Sequence, residues 1–338
     1  MKTEKKIPKF LSLLRSKLRT SPKKIYSYIR THRFQILTGL IACNIFVILG
    51  GMVYKMLSQS WLSIETYGLS FLWGRVWEPT PPTPGVPPSF GALPLIWGTL
   101  VTSGIALLLG VPISLGIGLA LSEFSPKRFN YLVSFFVELL AAIPSVIYGL
   151  WGIFVLMPFL RQYVYPLLQA VLGFLPIFQG EIHGPSVLTA GVVLAIMIIP
   201  TVAAISRDVI SAVPNAQREA IIALGATRWE TSRVVISYAR SGVIGAIILG
   251  LGRAVGETMA VTMVIGNSFN LFTSLFNPGY TLSSIIANEF TEASTPPVYI
   301  SALIEVGLIL FVLALVINAL ARLIIWRTMK TVKGAEAV

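Results

Sequence analysis

Residues 299–326 read YISALIEVGLILFVLALVINALARLIIW, a run whose charged side chains are Glu305 and Arg322. A helix needs about 20 mostly apolar residues to cross a bilayer, so this run is long enough to span one. Five further apolar runs of suitable length precede it, at residues 34–57, 94–122, 132–160, 187–206 and 240–266. Six such runs predict an all-α integral membrane protein that crosses the bilayer six times.

The composition of the whole chain agrees with a membrane protein. Of the 338 residues, 55% are hydrophobic and 12% are charged, and a soluble protein usually carries about twice that charged fraction. Cys43 is the single cysteine, and His32 and His183 are far apart in the sequence. This excludes a disulfide within the chain and the spacing of a zinc site, so we expect no metal site and no cofactor.

The positive charges indicate how the chain is oriented in the membrane. Lys and Arg are concentrated in residues 1–33, in the loop 207–239 and in the tail 327–338, whereas the loops of the other side hold Arg75 and Arg161. Because loops rich in Lys and Arg stay in the cytoplasm, both termini are predicted to be cytoplasmic. The net charge of +12 is then explained by topology, and no nucleic-acid partner is expected.

The N-terminal arm, residues 1–33, has apolar residues at helical spacing among its basic ones. A short helix on an anionic membrane face and a mobile basic tail both fit this pattern. The arm does not resemble a cleaved signal peptide, because its basic region is long and the apolar run 34–57 is long enough to span a bilayer.

The external loop, residues 58–93, is rich in proline. Six prolines between positions 79 and 88 predict a stiff, extended segment. Such a segment can form a docking rim for an external partner, or it can act as a spacer.

The loop 207–239 is too polar to cross a membrane, yet it has helical signals. Pro214 can open a helix that continues to Leu224, and Gly225 can supply the left-handed conformation that reverses the chain. A second short helix is predicted to begin near Thr227 and to run through Trp229. The apolar side chains of this helix-turn-helix suit either contact with lipid or docking to a protein.

Within this loop, Arg218-Glu219-Ala220-Ile221-x-x-x-Gly225 resembles the EAA-x-x-x-G motif of ABC importer permeases. The sequence departs from the motif at Ile221, which replaces Ala, and residues 235–238 lack the usual downstream proline. The resemblance implies that the loop inserts into a cleft on a cytoplasmic ATPase. The ATPase-coupling residues that it implies are Arg218, Glu219, Ala220, Gly225 and Trp229.

Three longer blocks extend the resemblance over residues 90–326. They are FGALP (90–94), VELLAAIPSV (137–146) and GLGRAVGETMAVT (250–262), and they resemble the PstC-type permease family of the phosphate ABC importer. The resemblance implies a six-helix, type I importer-like permease core over 94–326 in the inner membrane of a bacterium. It also implies three partners: a second permease subunit of PstA type, two copies of a PstB-type ATPase, and an external phosphate-binding protein of PstS type.

Arg253 and Glu257 are charged residues within the fifth apolar run. Their i,i+4 spacing places them on one helical face, where they can pair. A structural ion pair would explain them, but charges at membrane depth more often serve function. A guanidinium can present a bidentate fork to an oxyanion, and a carboxylate can accept a hydrogen bond from protonated phosphate. We therefore expect both residues to line a phosphate path, and the family resemblance implies the same pair.

Other polar residues at membrane depth each fit more than one role. Glu138 can partner a charge on another helix or subunit, in a structural or a functional role. Thr258 is a candidate donor to the anion, although hydroxyls in spanning helices usually bond back to their own backbone. Glu305 suits an interfacial or packing position.

The sequence also limits the chemistry of the chain. It has no G-x-x-x-x-G-K-[ST] motif, so it does not bind a nucleotide in the P-loop way, and ATP hydrolysis is expected in a partner subunit. We expect no catalytic residues. The function that the resemblance implies is that of a permease subunit of a phosphate ABC importer. The alternatives to it are a permease for sulfate or molybdate, a membrane-embedded enzyme, or a phosphate-signalling scaffold.

Overall fold

The computed structural model describes residues 33–81, 83, 85–293 and 296–333. The predicted interfacial helix of the N-terminal arm and residues 334–338 of the tail lie outside this part of the chain. The chain divides into two compact units between Lys55 and Met56. In the first unit, the described residues are helical and expose apolar side chains such as Phe34 and Phe46, as expected for contact with lipid.

Six helical segments of the described chain are long and apolar enough to cross a membrane, which confirms the predicted number. They are numbered as spans 1 to 6: Leu37–Tyr67, Leu93–Phe124, Ser145–Leu172, Val187–Ser211, Arg228–Gly256 and Pro297–Leu323. In the described residues, strand pairing is limited to two isolated bridges, Glu78 with Ser89 and Gly266 with Gly279.

The helices are named in chain order. They are α1 (Arg33–Tyr67), α2 (Ser70–Trp73), α3 (Leu93–Leu119), α4 (Lys127–Ala141), α5 (Ser145–Trp151), α6 (Met157–Phe159), α7 (Tyr165–Leu172), α8 (Val187–Ser211), α9 (Asn215–Ala223), α10 (Arg228–Gly256), α11 (Met259–Val264), α12 (Leu282–Glu289) and α13 (Pro297–Lys333). Short π-helical turns at Ala120–Phe124, Gly152–Leu156 and Leu160–Val164, and a 3₁₀ turn at Pro176–Phe178, complete the helical elements of the described chain.

Span 3 starts later than the predicted run 132–160. Helix α4 ends at Ala141 and has 15 residues, too few to cross a bilayer, and Pro144 caps the next helix with extended backbone (φ −58°, ψ 139°). The residue before a proline is disfavoured in the helical conformation, so the chain breaks here. The spanning segment then runs from Ser145 to Leu172.

Two π-helical turns let span 3 contain prolines. Pro158 follows the turn at Gly152–Leu156, and Pro166 follows the turn at Leu160–Val164. A proline removes one backbone donor from a helix, and a π turn locally changes the hydrogen-bond register. The segment thereby continues through both prolines to Leu172.

Helix α8 is the centre of the core. Most of its side chains are buried, and it packs against α3, α4 and α10. Small residues make these contacts close: a Cβ on Gly110 would lie 2.9 Å from Ile198, and one on Gly250 would lie 2.5 Å from Val202. Small residues at helix contacts let backbones approach each other in membranes, and they fix α8 between its neighbours.

Helix α10 differs from the predicted short helix at Thr227–Trp229. It does begin there, because Thr227 and Glu230 form a capping box. It then continues without interruption to Gly256, as one helix with span 5. Residues 235–238 lack the motif proline that would end it, so nothing separates the loop helix from the membrane helix.

Helix α1 extends to Tyr67, ten residues beyond the predicted end of its apolar run. A hydroxyl from α13 supports this extension. Ser301 Oγ accepts from the backbone N–H of Ser63 at 3.0 Å and donates to the carbonyl of Gln59 at 2.8 Å. It thus bridges the two backbone groups that an α-helix would join directly, and this contact fixes the part of α1 that follows Met56 against span 6.

The proline-rich loop is attached to the rest of this end of the protein. The Glu78–Ser89 bridge closes it, and the Tyr67 hydroxyl donates to the carbonyl of Pro88 at 2.6 Å. Trp77 Nε1 donates to Glu289 Oε2 at 2.7 Å. The two ends of the proline-rich loop are therefore packed against the rest of the protein, which the composition of the loop did not predict.

Gly98 offers a test of this packing. A Cβ there would lie 2.0 Å from the carbonyl oxygen of Tyr280, whereas a Cβ on Gly104 of the same helix meets nothing within 4 Å. We expect Gly98→Ala to destabilise the protein by about 2 kcal/mol, because a backbone carbonyl cannot move aside as a side chain does. Gly104→Ala is the control and should raise stability by up to about 1 kcal/mol. Thermal unfolding in detergent measures both, and equal midpoints would contradict the packing.

Candidate functional site

A break in the helical backbone follows span 5. Helix α10 ends at Gly256, Glu257 has extended backbone (φ −69°, ψ 128°), and α11 begins at Met259. The far end of α11 meets the start of α8, where the N–H of Ser186 donates to the carbonyl of Val264 at 3.1 Å. The break at Glu257 therefore lies about 10 Å, measured along the axis of α11, from the point where α11 meets the start of α8. Breaks of this kind within spanning helices commonly form substrate sites in transporters.

Arg253 lies in the last turn of α10, just before the break. Its Nη1 donates to Thr201 Oγ1 at 3.3 Å, and Thr201 lies near the middle of α8. The residue is half-buried. Among the ion pairs of the described residues, none involves Arg253. This leaves a guanidinium beside the break whose charge is not neutralised by a carboxylate of the described chain.

The structural alternative for Arg253 and Glu257, an ion pair between them, is not among the ion pairs of the described residues. The i,i+4 argument requires a continuous helix, but α10 ends at Gly256 and Glu257 follows in extended backbone. Glu257 Oε1 instead accepts from the N–H of Ala260 at 3.1 Å, and its main-chain carbonyl accepts from Ser283 Oγ at 2.8 Å. The carboxylate thus caps α11, and the structural ion pair does not explain the two charges.

Thr258 bonds to its own backbone. Its Oγ1 donates to the carbonyl of Gly256 at 3.3 Å, and Thr262 Oγ1 donates to the carbonyl of Thr258 at 2.7 Å. Each hydroxyl keeps lone pairs, but its proton is engaged. Both threonines stabilise the ends of the break, and Thr258 is half-buried next to Glu257.

Glu138 pairs with a charge on another helix of the same chain. Its Oε1 accepts from Arg207 Nη2 at 3.1 Å, and the same guanidinium contacts Asp208 Oδ1 at 2.7 Å. Arg207 is six residues beyond Thr201 on α8, or about 9 Å along the helix. The structure therefore places Glu138 away from Arg253, towards the end of the protein that carries α9.

Glu305 is a packing residue of α13 in the structure. It is 7% exposed, which agrees with the packing alternative.

Residues from Pro214 to the start of α10 form a helix-turn-helix, in which the second helix is the beginning of span 5 and not the predicted short helix. Pro214 caps α9, Gly225 has the left-handed conformation (φ +85°), and Thr227 caps α10. A left-handed residue reverses the chain after a helix, and glycine adopts this conformation without steric cost. The two helix ends and the glycine turn make one compact corner.

Apolar side chains project from this corner. Leu224 is 88% exposed and Trp229 is 65% exposed, and Glu219, Ala220 and Gly225 are exposed beside them. A tryptophan such as Trp229 is a typical anchor of protein interfaces, and the exposed Leu224 extends the apolar surface beside it. Five exposed residues of the corner thus form one surface, which we call the docking corner: Glu219, Ala220, Leu224, Gly225 and Trp229.

Arg218 is the exception among the predicted coupling residues. Its side chain points into its own subunit and contacts Glu123, with Nη2 and Oε1 2.8 Å apart. Glu123 had no role in the sequence analysis, because a partner 95 positions away leaves no local signal. Thr201, Arg207 and Ser283 were missed for the same reason, since each acts through a contact between distant segments.

The described residues contain no group of three or more His, Cys, Asp or Glu side chains that could hold a metal ion.

Comparison with known proteins adds a family. Residues 110–330 match the model of the binding-protein-dependent transport system inner membrane component family. The phosphate transport system permease protein PstC of Pasteurella multocida is 44% identical over 94% of this chain and 98% of its own. The protein of the same name from Haemophilus influenzae is 45% identical over 88% of this chain and 94% of its own. These relatives are matched over nearly their whole length.

Solved structures with a similar fold are ABC transporters. A structure of the MetNI methionine ABC transporter in an inward-facing conformation matches with a TM-score of 0.51 at 20% identity, over 69% of this chain and 93% of that chain. A bacterial ABC transporter involved in the import of alginate matches with a TM-score of 0.57 at 16% identity, over 90% of this chain and 99% of that chain. At these identities the likeness concerns the fold.

Proposed function

Because the chain belongs to the binding-protein-dependent transport system inner membrane component family, we propose that it is the permease subunit of an ATP-driven phosphate importer. The observation that carries the proposal is the 44% identity, over 94% of the chain, to a permease protein named for phosphate transport. The subunit forms half of the translocation path, and ATP hydrolysis takes place in a partner.

The substrate path runs beside the break after α10. Arg253 supplies the countercharge that an oxyanion needs at membrane depth, since within the described residues it makes no ion pair. A guanidinium suits this task because its donors match two oxygens of one anion. Glu257 accepts a hydrogen bond from protonated phosphate, and Thr258 lies beside it. Glu138 holds Arg207 further along the path.

Three partners complete the importer. A second permease subunit of PstA type supplies the other half of the path, and an external phosphate-binding protein of PstS type delivers the anion. Two copies of a PstB-type ATPase bind on the cytoplasmic side. The docking corner supports this arrangement, because Leu224 and Trp229 project from a rigid turn and offer apolar anchors to a cleft.

The protein lies in the inner membrane of a bacterium with both termini in the cytoplasm. The clustering of Lys and Arg in residues 1–33, 207–239 and 327–338 supports this orientation. It places the docking corner in the cytoplasm and the proline-rich loop outside.

Cysteine labelling tests the orientation. Leu69 is 79% exposed and Leu224 is 88% exposed, and each can be replaced by cysteine in a Cys43→Ser background. In spheroplasts that lack the ATPase, a membrane-impermeant maleimide should label Leu69→Cys and should reach Leu224→Cys after permeabilisation. The reverse order would contradict cytoplasmic termini.

Reconstitution tests the function. The subunit is assembled with its permease and ATPase partners in liposomes that contain ATP, and the external binding protein is added with labelled phosphate. We expect ATP-dependent accumulation of phosphate that excess sulfate or molybdate does not reduce. Accumulation of sulfate or molybdate in its place would favour a permease for another oxyanion, and catalytic turnover by the isolated subunit would favour an enzyme.

A further inference from the structure

One guanidinium connects three elements at the end of the protein that carries the docking corner. Arg218 Nη2 lies 2.8 Å from Glu123 Oε1, and Nε lies 3.3 Å from Oε2. Nη2 also donates to the carbonyl of Ile210 at 3.0 Å, and Nη1 donates to the carbonyl of Val213 and to Asn215 Oδ1. Arg218 thereby joins the start of α9, the end of span 4 and the π-helical turn that ends span 2.

The Arg218–Glu123 pair is shielded from solvent. The side chain of Arg218 is 17% exposed and that of Glu123 is 9% exposed. A bidentate contact between a guanidinium and a carboxylate has a fixed geometry, and burial protects it from screening by salt. Glu123 is therefore poorly placed to contact a separate subunit, and its role lies inside the permease.

Arg218 also holds the end of α8. The carbonyl of Ile210, in the last turn of α8, accepts from Arg218 and also from the N–H of Val213 at 3.2 Å. The carbonyl of Val213, two residues past the end of α8, accepts from Arg218 as well. The guanidinium thus binds two main-chain carbonyls at the end of α8. It is attached to α8, which also carries the Thr201 hydroxyl that contacts Arg253.

Spans 2 and 4 are packed tightly where Arg218 holds them. A Cβ on Gly118 would lie 3.1 Å from the Ser206 side chain and 3.2 Å from the carbonyl of Ala203. Close-packed elements transmit displacement, because they do not deform continuously. A displacement of Arg218 therefore acts on both spans together.

The inward contacts and the docking corner lie on the two sides of the same short helix. Glu219 and Ala220 are exposed, whereas the neighbouring Arg218 points inward. A partner that moves α9 from outside therefore moves Arg218, and Arg218 is bound to the ends of spans 2 and 4.

We propose that Arg218 and Glu123 are positioning residues that transmit movement of the ATPase-bound corner to spans 2 and 4. This inference rests on the proposed function, because it assumes an ATPase at the docking corner. It assigns Arg218 to transmission within the permease, and it adds Glu123, which lies outside the EAA-like motif. The pair couples ATP hydrolysis to the α8 segment that holds Arg253.

Coupling can be measured on the assembled importer. The complexes carry Glu123→Gln or Arg218→Lys, and three quantities are compared with wild type: the ATPase retained on purification, the stimulation of ATP hydrolysis by the phosphate-loaded binding protein, and phosphate transported per ATP. Glu123→Gln keeps the shape and one acceptor, and Arg218→Lys keeps the charge without the fork. We expect Glu123→Gln to retain the ATPase. In both variants, stimulation and phosphate per ATP should fall about tenfold.

Arg233→Gln is the matched control. Arg233 is an exposed cation of α10 near the same corner, and its neutralisation should leave stimulation and phosphate per ATP unchanged. The proposal would be overturned if both Glu123→Gln and Arg218→Lys kept the wild-type stimulation of ATP hydrolysis and the wild-type amount of phosphate transported per ATP. Loss of the bound ATPase in Glu123→Gln would also overturn it, because the pair would then only shape the docking surface. A wild-type complex that transports no phosphate would instead contradict the proposed function.

Discussion

Replacing Arg253 with alanine is expected to reduce phosphate uptake by about thirtyfold or more. The guanidinium lies beside the break after α10, and removing one partner of a desolvated charge contact typically costs about 2–5 kcal/mol. An anion at this depth would then lack its countercharge. Labelled phosphate uptake by vesicles that contain the complete importer measures the effect.

Two further variants separate the roles around the break. Glu257→Gln keeps a side-chain oxygen that can accept from the N–H of Ala260, so the backbone conformation at the break should be unchanged. Uptake should fall about tenfold, because the variant loses a charge-assisted hydrogen bond to phosphate. Thr201→Val removes the neutral hydroxyl that contacts Arg253 and should reduce uptake by about fivefold, the equivalent of about 1 kcal/mol.

Arg233→Ala serves as the control for the Arg253 variant, because it removes an exposed cation from the same helix. Its uptake should match that of wild type. Normal uptake in both the Arg253→Ala and the Glu257→Gln importers would show that the phosphate path lies elsewhere.

The second large effect is expected at the docking corner. Leu224→Asp and Trp229→Ala should each weaken binding of the ATPase by about thirtyfold or more, because interface anchors typically contribute about 2 kcal/mol or more. Leu224 is 88% exposed and Trp229 is 65% exposed, so neither change should disturb the folded permease. Titration of the purified permease with the ATPase, in detergent or nanodiscs, measures the binding.

Leu69→Asp is the matched control for Leu224→Asp. It places the same charge on a leucine that is 79% exposed next to the proline-rich loop. Binding of the ATPase should be unchanged in this variant. If Leu224→Asp and Trp229→Ala also bind with wild-type affinity, the corner is not the ATPase contact.

The sequence predicted the features that depend on local signals. Apolar length predicted six spans, and Pro214 and Gly225 predicted the corner before α10, because each of these effects acts within a few residues. The predicted position of span 3 was wrong. Helix α4 is rich in apolar residues too, and apolar content alone does not show that the helix breaks at Pro144. The continuity of α10 was hidden by the assumption of a short loop helix, although the missing proline at 235–238 indicated it.

Contacts between distant segments were beyond the sequence. The i,i+4 spacing of Arg253 and Glu257 allowed an ion pair between them, but Gly256 ends the helix and the described residues show no such pair. The partner of Arg218 was equally inaccessible, since Glu123 belongs to another span. In both cases the residue types were informative, but the backbone geometry that decides their partners is set by packing.

The uninterrupted course of α10 has a mechanical consequence. Trp229 and Arg253 belong to one helix and lie about 36 Å apart along its axis. A stiff rod of this length converts a small tilt at one end into a larger displacement at the other: a rotation of about 5° about the Trp229 end displaces Arg253 by about 3 Å. A displacement of that size is comparable to a hydrogen-bond length, so it is enough to make or release a contact between the guanidinium and an anion.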